Sequence, residues 1–369
     1  MTLQVTTIDP ASDPRWDDFV AEHPAGEIYH CSGWLQALRE EYDRPLAAFV
    51  CESEGGKVEG VLPAIRTRGL PFGIAGKAAA GRLSSLPRTP VAGPIASSPE
   101  SLRRLAQAAT DHGRELGVRV QLKLRHADLD GTVAGLEGRP WRPSYTVRLP
   151  DHAEKLRFGD ARHNATIRRA IRKAEREGVQ VEEATSEGEL KAWYRLYLDV
   201  CRWRAQPARP YRFFAGLWRH LRPAGRMTLL LARRAEGTRR VLVAGNIVLL
   251  FGGTATYAFN GRRRDALGSR PNDLLHWDAM QRAIALGYAR YDMGEVDAEN
   301  DGLARYKAKW GAEVEHTMRY YAPPLEETES ATYETGWPAR TLKRSLLVAW
   351  KRVPLALTEF AGEQVYRYL

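Results

Sequence analysis

The sequence predicts an α+β protein of two successive domains, each a mixed, mostly antiparallel sheet flanked by helices, with an amphipathic helical tail. Three observations predict it. The 369 residues exceed one average core and suit two domains of ordinary size. Apolar residues make up 44%, the share of a chain that buries a core. Stretches of helical and strand periodicity also recur along the chain in an order that the second half repeats at greater length.

In the first half, Trp16 to Glu22 reads as a helix ended by the turn His23-Pro24-Ala25-Gly26. A second helix runs from Ser32 to about Tyr42, with Ser32 placed to cap it. Leu46 to Glu52 and Val58 to Arg66 read as paired strands around Ser53-Glu54-Gly55-Gly56. Gly- and Pro-rich sequence from Gly69 to Pro99 forms a long loop of the kind that often carries function. The helix Pro99 to Gly117 shows Leu102, Leu105, Ala108 and Ala109 at helical spacing. Strands Val118 to Leu124 and Tyr145 to Leu149 close a first domain, residues 1–150.

The second domain, residues 151–323, opens with helices Asn164 to Glu177, Glu187 to Arg202 and Tyr211 to Leu221. Strands Met227 to Arg233, Val241 to Phe251 and Thr254 to Phe259 make a meander. Helix Pro271 to Leu286, strand Tyr288 to Met293, helix Leu303 to Trp310 and strand Val314 to Tyr321 complete an α+β unit. Residues 324–369 read as a linker and a basic amphipathic helix. In it Leu342, Leu346, Ala349, Trp350 and Val353 share a face ringed by Arg340, Lys343, Arg344, Lys351 and Arg352. Such a helix lies on an anionic bilayer or packs its stripe against protein.

The net charge of +10 points to an acidic partner such as nucleic acid, an anionic membrane face or a phosphorylated substrate, or reflects Arg-rich usage alone. No run approaches the ~20 apolar residues of a membrane span, and the first residues lack a secretory pattern. The three cysteines are isolated, which fits reduced thiols in a cytoplasmic protein and argues against a zinc site.

Two constellations carry chemistry. On the helix from Asn164, which can cap it, Ile167, Ala170, Ile171 and Ala174 follow the buried-face rule, leaving Arg168, Arg172 and Arg176 in one row beside Arg169 and Lys173. The row either meets phosphates or is a solvated face partly neutralised by Glu175 and Glu177. The second constellation is the strand end Tyr291-Asp292-Met293-Gly294-Glu295 and the segment Tyr306-Lys307-Ala308-Lys309-Trp310-Gly311. Asp292 or Glu295 would accept a proton from an attacking amine, unless Asp292 only caps a turn. Lys307 would stabilise an oxyanion. Tyr306 and Trp310 share a face, which core packing alone also explains.

The basic helix, the Tyr257-Ala258-Phe259-Asn260-Gly261 strand end, the helix Pro271-Asn272-Asp273-Leu274-Leu275-His276-Trp277, the Tyr291-Asp292-Met293-Gly294 strand and the Tyr306 to Gly311 segment resemble the second domain of FemABX proteins. The first half resembles that family at His30-Cys31-Ser32-Gly33-Trp34 and Gly60-Val61-Leu62-Pro63. The resemblance implies two tandem GNAT-like domains over about residues 10–323. It also implies transfer of an amino acid from aminoacyl-tRNA, as co-substrate, to an amine of a peptidoglycan-precursor-like or natural-product peptide, with no metal and no bound cofactor. Lys307 and Tyr306 match the residues near the aminoacyl end of the donor, and Tyr257 and Asn260 fall on the substrate side. Arg168, Arg172 and Trp34 would hold substrate. The alternative is an acyl-CoA-dependent N-acyltransferase acting on an amino sugar or small amine. Against it, Arg264-Asp265-Ala266-Leu267-Gly268 places its glycine wrongly for a pyrophosphate loop. A cytoplasmic location follows, with contact at the inner membrane face through residues 339–353 as an option.

Overall fold

The computed structural model describes residues 2–42, 44–69, 81–125, 128–297, 299–326, 350–351 and 353–368. In chain order, β1 (Leu3–Thr7), α1 (Pro14–Glu22) and α2 (Ser32–Tyr42) are followed by β2 (Leu46–Ser53), β3 (Val58–Arg66), β4 (Arg82–Ser84) and β5 (Ile95–Ala96). Then come α3 (Pro99–Glu115), β6 (Arg119–Leu124) and β7 (Glu137–Pro140). A new set begins with β8 (Ser144–Arg148), α4 (Ala161–Arg176), β9 (Val179–Glu183), α5 (Glu187–Arg204) and α6 (Tyr211–His220). It continues through β10 (Met227–Glu236), β11 (Arg239–Phe251), β12 (Thr254–Arg262), α7 (Pro271–Ala285), β13 (Arg290–Glu295), α8 (Asp301–Lys309) and β14 (Glu313–Glu315). Strand β15 (Met318–Ala322) and helix α9 (Leu355–Tyr366) end the described chain.

Two compact units result. The first takes the described residues up to Trp141, those from His316 to 326 and those from Ala361; the second takes Arg142–Glu315 and Trp350–Phe360. The division thus falls at Trp141 rather than near Pro150. The reason is hydrogen bonding: β8 pairs with β13 and β14 of the second sheet. The strand expected over Val314 to Tyr321 is two strands in different sheets. Its first part, β14, pairs with β8, and its second, β15, enters the first unit between β6 and β7. The start and most of the expected tail helix over 339–353 lie outside the described residues.

The first sheet runs β1-β2-β3-β4-β6-β15-β7, with β5 on β3, and the second runs β14-β8-β13-β12-β11-β10-β9. Each is antiparallel but for one pair, β4 with β6 and β12 with β13. Each parallel pair is joined through a helix, α3 in the first unit and α7 in the second. This shared plan is what the repeated sequence order anticipates.

Local chemistry explains the elements that shape the second unit. Helix α4 starts where Asp160 accepts from the His163 backbone N–H at 2.7 Å. Asn164, expected as the cap, instead accepts from Phe158 N–H at 3.3 Å, a turn inside the helix. Ile167, Ile171 and Ala174 bury as their spacing requires. Helix α5 opens with a Ser186–Glu189 capping box and stops at Ala205, whose φ is 51°. It lies close on the sheet because Gly245 and Gly261 are register partners on β11 and β12. A Cβ on Gly261 would meet the Tyr197 nitrogen at 2.8 Å, and one on Gly245 would meet Trp193 at 2.7 Å. Around this contact Trp193, Tyr197, Phe213, Phe214 and Phe259 form an aromatic cluster.

Candidate active site

The site of the second unit forms where β12 and β13 part. They pair only from Thr254–Arg290 to Thr256–Asp292, and a β-bulge in β12, where Ala258 is the extra residue opposite Ile247 and Val248 of β11, adds to its bend. Tyr257 follows the last paired residue. Its ring lies 4.7 Å from that of His276 on α7, and burial raises its pKa. His276 shares a 3.0 Å hydrogen bond through Nδ1 with the Tyr291 hydroxyl. Burial, with a contribution from the Lys307 charge, pushes the His276 pKa down to about 3, so the ring is neutral.

Lys307 sits on α8 and is only 4% exposed. Its Nζ donates to the carbonyls of Gly294 at 2.8 Å and Glu295 at 3.1 Å. Those carbonyls point inward because Gly294 takes φ 81°, a turn that L side chains resist. Asp292 fixes the turn, one oxygen accepting from Gly294 N–H at 2.6 Å and from Ser144 Oγ at 3.1 Å. Burial lowers the Lys307 pKa to about 8 even though Asp292 and Glu295 oppose the shift. Of the two carboxylates, Asp292 is buried, whereas Glu295 is half-buried at the strand end.

Tyr306, beside Lys307 in sequence, packs its ring 6.1 Å from His276 and 6.4 Å from Trp310. Trp310 is wholly buried, a core residue stacked edge-on against Phe158. The Tyr306 hydroxyl interacts electrostatically with Asp273, the third residue of α7, without a hydrogen bond of normal geometry. Asp273 is 8% exposed and forms no ion pair among the described residues, and burial raises its pKa. Asn260 Nδ2 donates to Asn246 Oδ1 at 2.7 Å and approaches Asn272 Oδ1 at 3.4 Å.

The cations whose charge reaches these groups are Arg204 and Arg262. Arg204 bears on Lys307 and Tyr257, and Arg262 on Tyr257 and Tyr306. Neither forms an ion pair among the described residues, and burial lowers the Arg262 pKa. Sequence reasoning passed over both. The one available signal was that Arg204 ends a helix and Arg262 ends the strand already singled out at Tyr257–Gly261.

Arg168 is placed differently. It stacks over Trp277 at 4.4 Å and Phe158 at 5.3 Å and donates to the Leu156 carbonyl at 3.0 Å. Arg172 is exposed on the same helix with Arg169, Lys173 and Arg176. Trp34 is 1% exposed in the first unit, edge-on to Tyr29 at 5.0 Å.

In the first unit the matching divergence of β4 and β6 is filled by its own chain. Ser85 Oγ accepts from Lys123 N–H at 2.9 Å, and Lys123 Nζ donates to Leu86 and Thr89 carbonyls at 2.5 and 3.0 Å. Leu86 and Arg88 adopt positive φ to make this plug. The open strand parting is therefore that of the second unit.

Comparison with known proteins places this architecture. Residues 161–308 match the family model described as acetyltransferase (GNAT) domain. No curated protein sequence matches the chain. Among solved structures, FemX superposes with TM-score 0.65 at 14% identity, over 90% of this chain and 100% of that one. L-PGS from Bacillus licheniformis gives 0.54 at 13% identity, over 97% and 98%. A tandem GNAT protein from the clavulanic acid biosynthesis pathway gives 0.52 at 14%, over 88% and 100%. At these identities the likeness is one of fold. The second unit thus carries a GNAT acetyltransferase-like domain over residues 161–308. The chain as a whole has the fold of FemX, with two compact units in tandem. Among the described residues no cluster of metal-ligating side chains occurs, and no helix is long and apolar enough to cross a membrane.

Proposed function

We propose that the protein transfers an aminoacyl group from aminoacyl-tRNA to the amine of an anionic, peptidoglycan-precursor-like or natural-product acceptor. The observation that carries the reading is Lys307, an ammonium held 4% exposed at the parting of β12 and β13, with the charges of Asp292 and Glu295 acting on it and Arg204 nearby. A neutral acceptor amine attacks the ester carbonyl, and the Lys307 ammonium stabilises the oxyanion and the departing ribose oxygen. Glu295, half-buried at the strand end, takes the amine proton directly or through water, while Asp292 positions the turn. Arg204 and Arg262 hold phosphate, and the exposed cations of α4 meet the RNA backbone.

The acyl-CoA alternative is weakened by the start of α7. A pyrophosphate there needs free backbone N–H groups. Pro271 supplies none, and Asp273 brings a carboxylate to the same turn. The deciding experiment is Lys307→Ala assayed with charged tRNA. Turnover is expected to fall ~10²–10³-fold with the fold intact by circular dichroism. Undiminished turnover removes Lys307 from the chemistry.

A further inference from the structure

An aminoacyl ester differs from a plain acyl donor in one charge, the α-ammonium beside the reacting carbonyl. A cleft that takes the first must supply acceptors for three N–H bonds, at least one of them anionic. The second unit holds such a set with acceptor capacity to spare. Asp273 is 8% exposed with no ion pair among the described residues. The Tyr306 hydroxyl lies beside it, in a contact that lowers the Asp273 pKa but lacks the geometry of a normal hydrogen bond. Asn260 Oδ1 is likewise unpartnered, on an amide that reaches Asn272, the residue before Asp273. Tyr257 and Tyr306 add two aromatic faces near His276. Buried acceptors left without donors are costly unless something fills them. A helix-terminal acid needing only the helix dipole would sit in water.

We propose that Asp273, with Asn260 and Tyr306, forms a pocket for the α-ammonium group of the donor, and that this pocket selects an aminoacyl ester over a plain acyl group. The inference rests on the aminoacyl-tRNA reading. It makes Asp273 a specificity residue, not a base, and it assigns the start of α7 to a cation where a CoA-dependent enzyme would place an anion.

The test is competition binding with total tRNA charged with all twenty amino acids, one half left with free α-amines and the other Nα-acetylated. The ratio of the two dissociation constants cancels the contribution of the RNA body. The wild type is expected to prefer the free amine by ~10-fold. Asp273→Asn, which keeps size and shape, is expected to bring the ratio to about one. Asp278→Asn, on the same helix but paired with Arg282 at 2.6 Å, keeps the wild-type ratio. If Asp273→Asn does not fold, as judged by thermal melting, Asp273→Ser takes its place. A ratio that Asp273 substitution leaves unchanged, or a wild-type ratio of one, overturns the ammonium pocket while leaving the tRNA reading standing. Charged and uncharged tRNA binding alike overturns that reading and the pocket together.

Discussion

At Lys307 burial and function pull against each other. Desolvation lowers its pKa from 10.5 to about 8, so near neutrality the ammonium persists but with little margin. If it acts as the cationic donor, kcat/KM falls on an alkaline limb with an apparent pKa about 8. Lys307→Arg, whose charge survives to high pH, is expected to lose that limb in a pH–rate profile. Stability moves the other way. Between pH about 8 and 10.5 the unfolded chain still binds a proton that the folded one has released. Unfolding free energy therefore rises with pH across that window, by ~1.4 kcal/mol per unit from this group. Denaturant titrations at pH 7.5 and 9.5 check the slope, which Lys307→Met is expected to abolish. Lys307, Tyr257 and Tyr306 could be singled out in the sequence because a contiguous segment carries each. Arg204 and Arg262 were not, and Asp273 was noted only as part of a helix start, since their meaning comes from what the parted strands bring near them.

Among the elements, the contact of α5 with β12 shows what pattern reading reaches and what it misses. Periodicity locates both, and the strand-end glycine at 261 was noted, yet nothing in a linear sequence says that Gly245 stands opposite it. The pairing appears only once β11 and β12 are in register. Its effect is to let α5 approach until its last residue, Arg204, bears on the site. Gly261→Val is expected to destabilise the second unit by ~1–3 kcal/mol through overpacking against Tyr197. It should also lower kcat/KM, as Arg204 and Asn260 shift. Denaturation midpoints and steady-state kinetics on one preparation check both; loss of stability with unchanged kinetics would separate α5 from the site. The α4 start illustrates a smaller miss. Asp160 outcompeted Asn164 as cap because the helix begins at Ala161, well before its apolar stripe, whose first buried residue is Ile167.

For the molecule as a whole, fold class and tandem plan were readable, whereas the unit boundaries were not. Hydrophobic pattern marks Tyr145 to Leu149 and Val314 to Tyr321 as strands without saying which sheet receives them. Register settles it: β8 goes forward to the second sheet and β15 returns to the first. Tyr320 and Tyr321 are 1% and 2% exposed there, and β6 and β7 meet only through this strand. A fragment of residues 1–141 therefore lacks a central strand. It is expected to unfold without cooperativity and to bind a hydrophobic dye, and adding a synthetic peptide of residues 316–326 should restore a cooperative melt. A sharp melt from the fragment alone would contradict this.

That returning strand also sets a timetable. A ribosome delivers the chain from its N-terminus, so the first sheet stays incomplete until β15 emerges, after the fourteen earlier strands among the described residues. The half made second holds all the strands of its sheet before the half made first does. Nascent β6 and β7 must wait, edges bare, through the synthesis of an entire neighbour. A slow stretch of translation just past residue 322 would serve this protein better than one at the junction near residue 141.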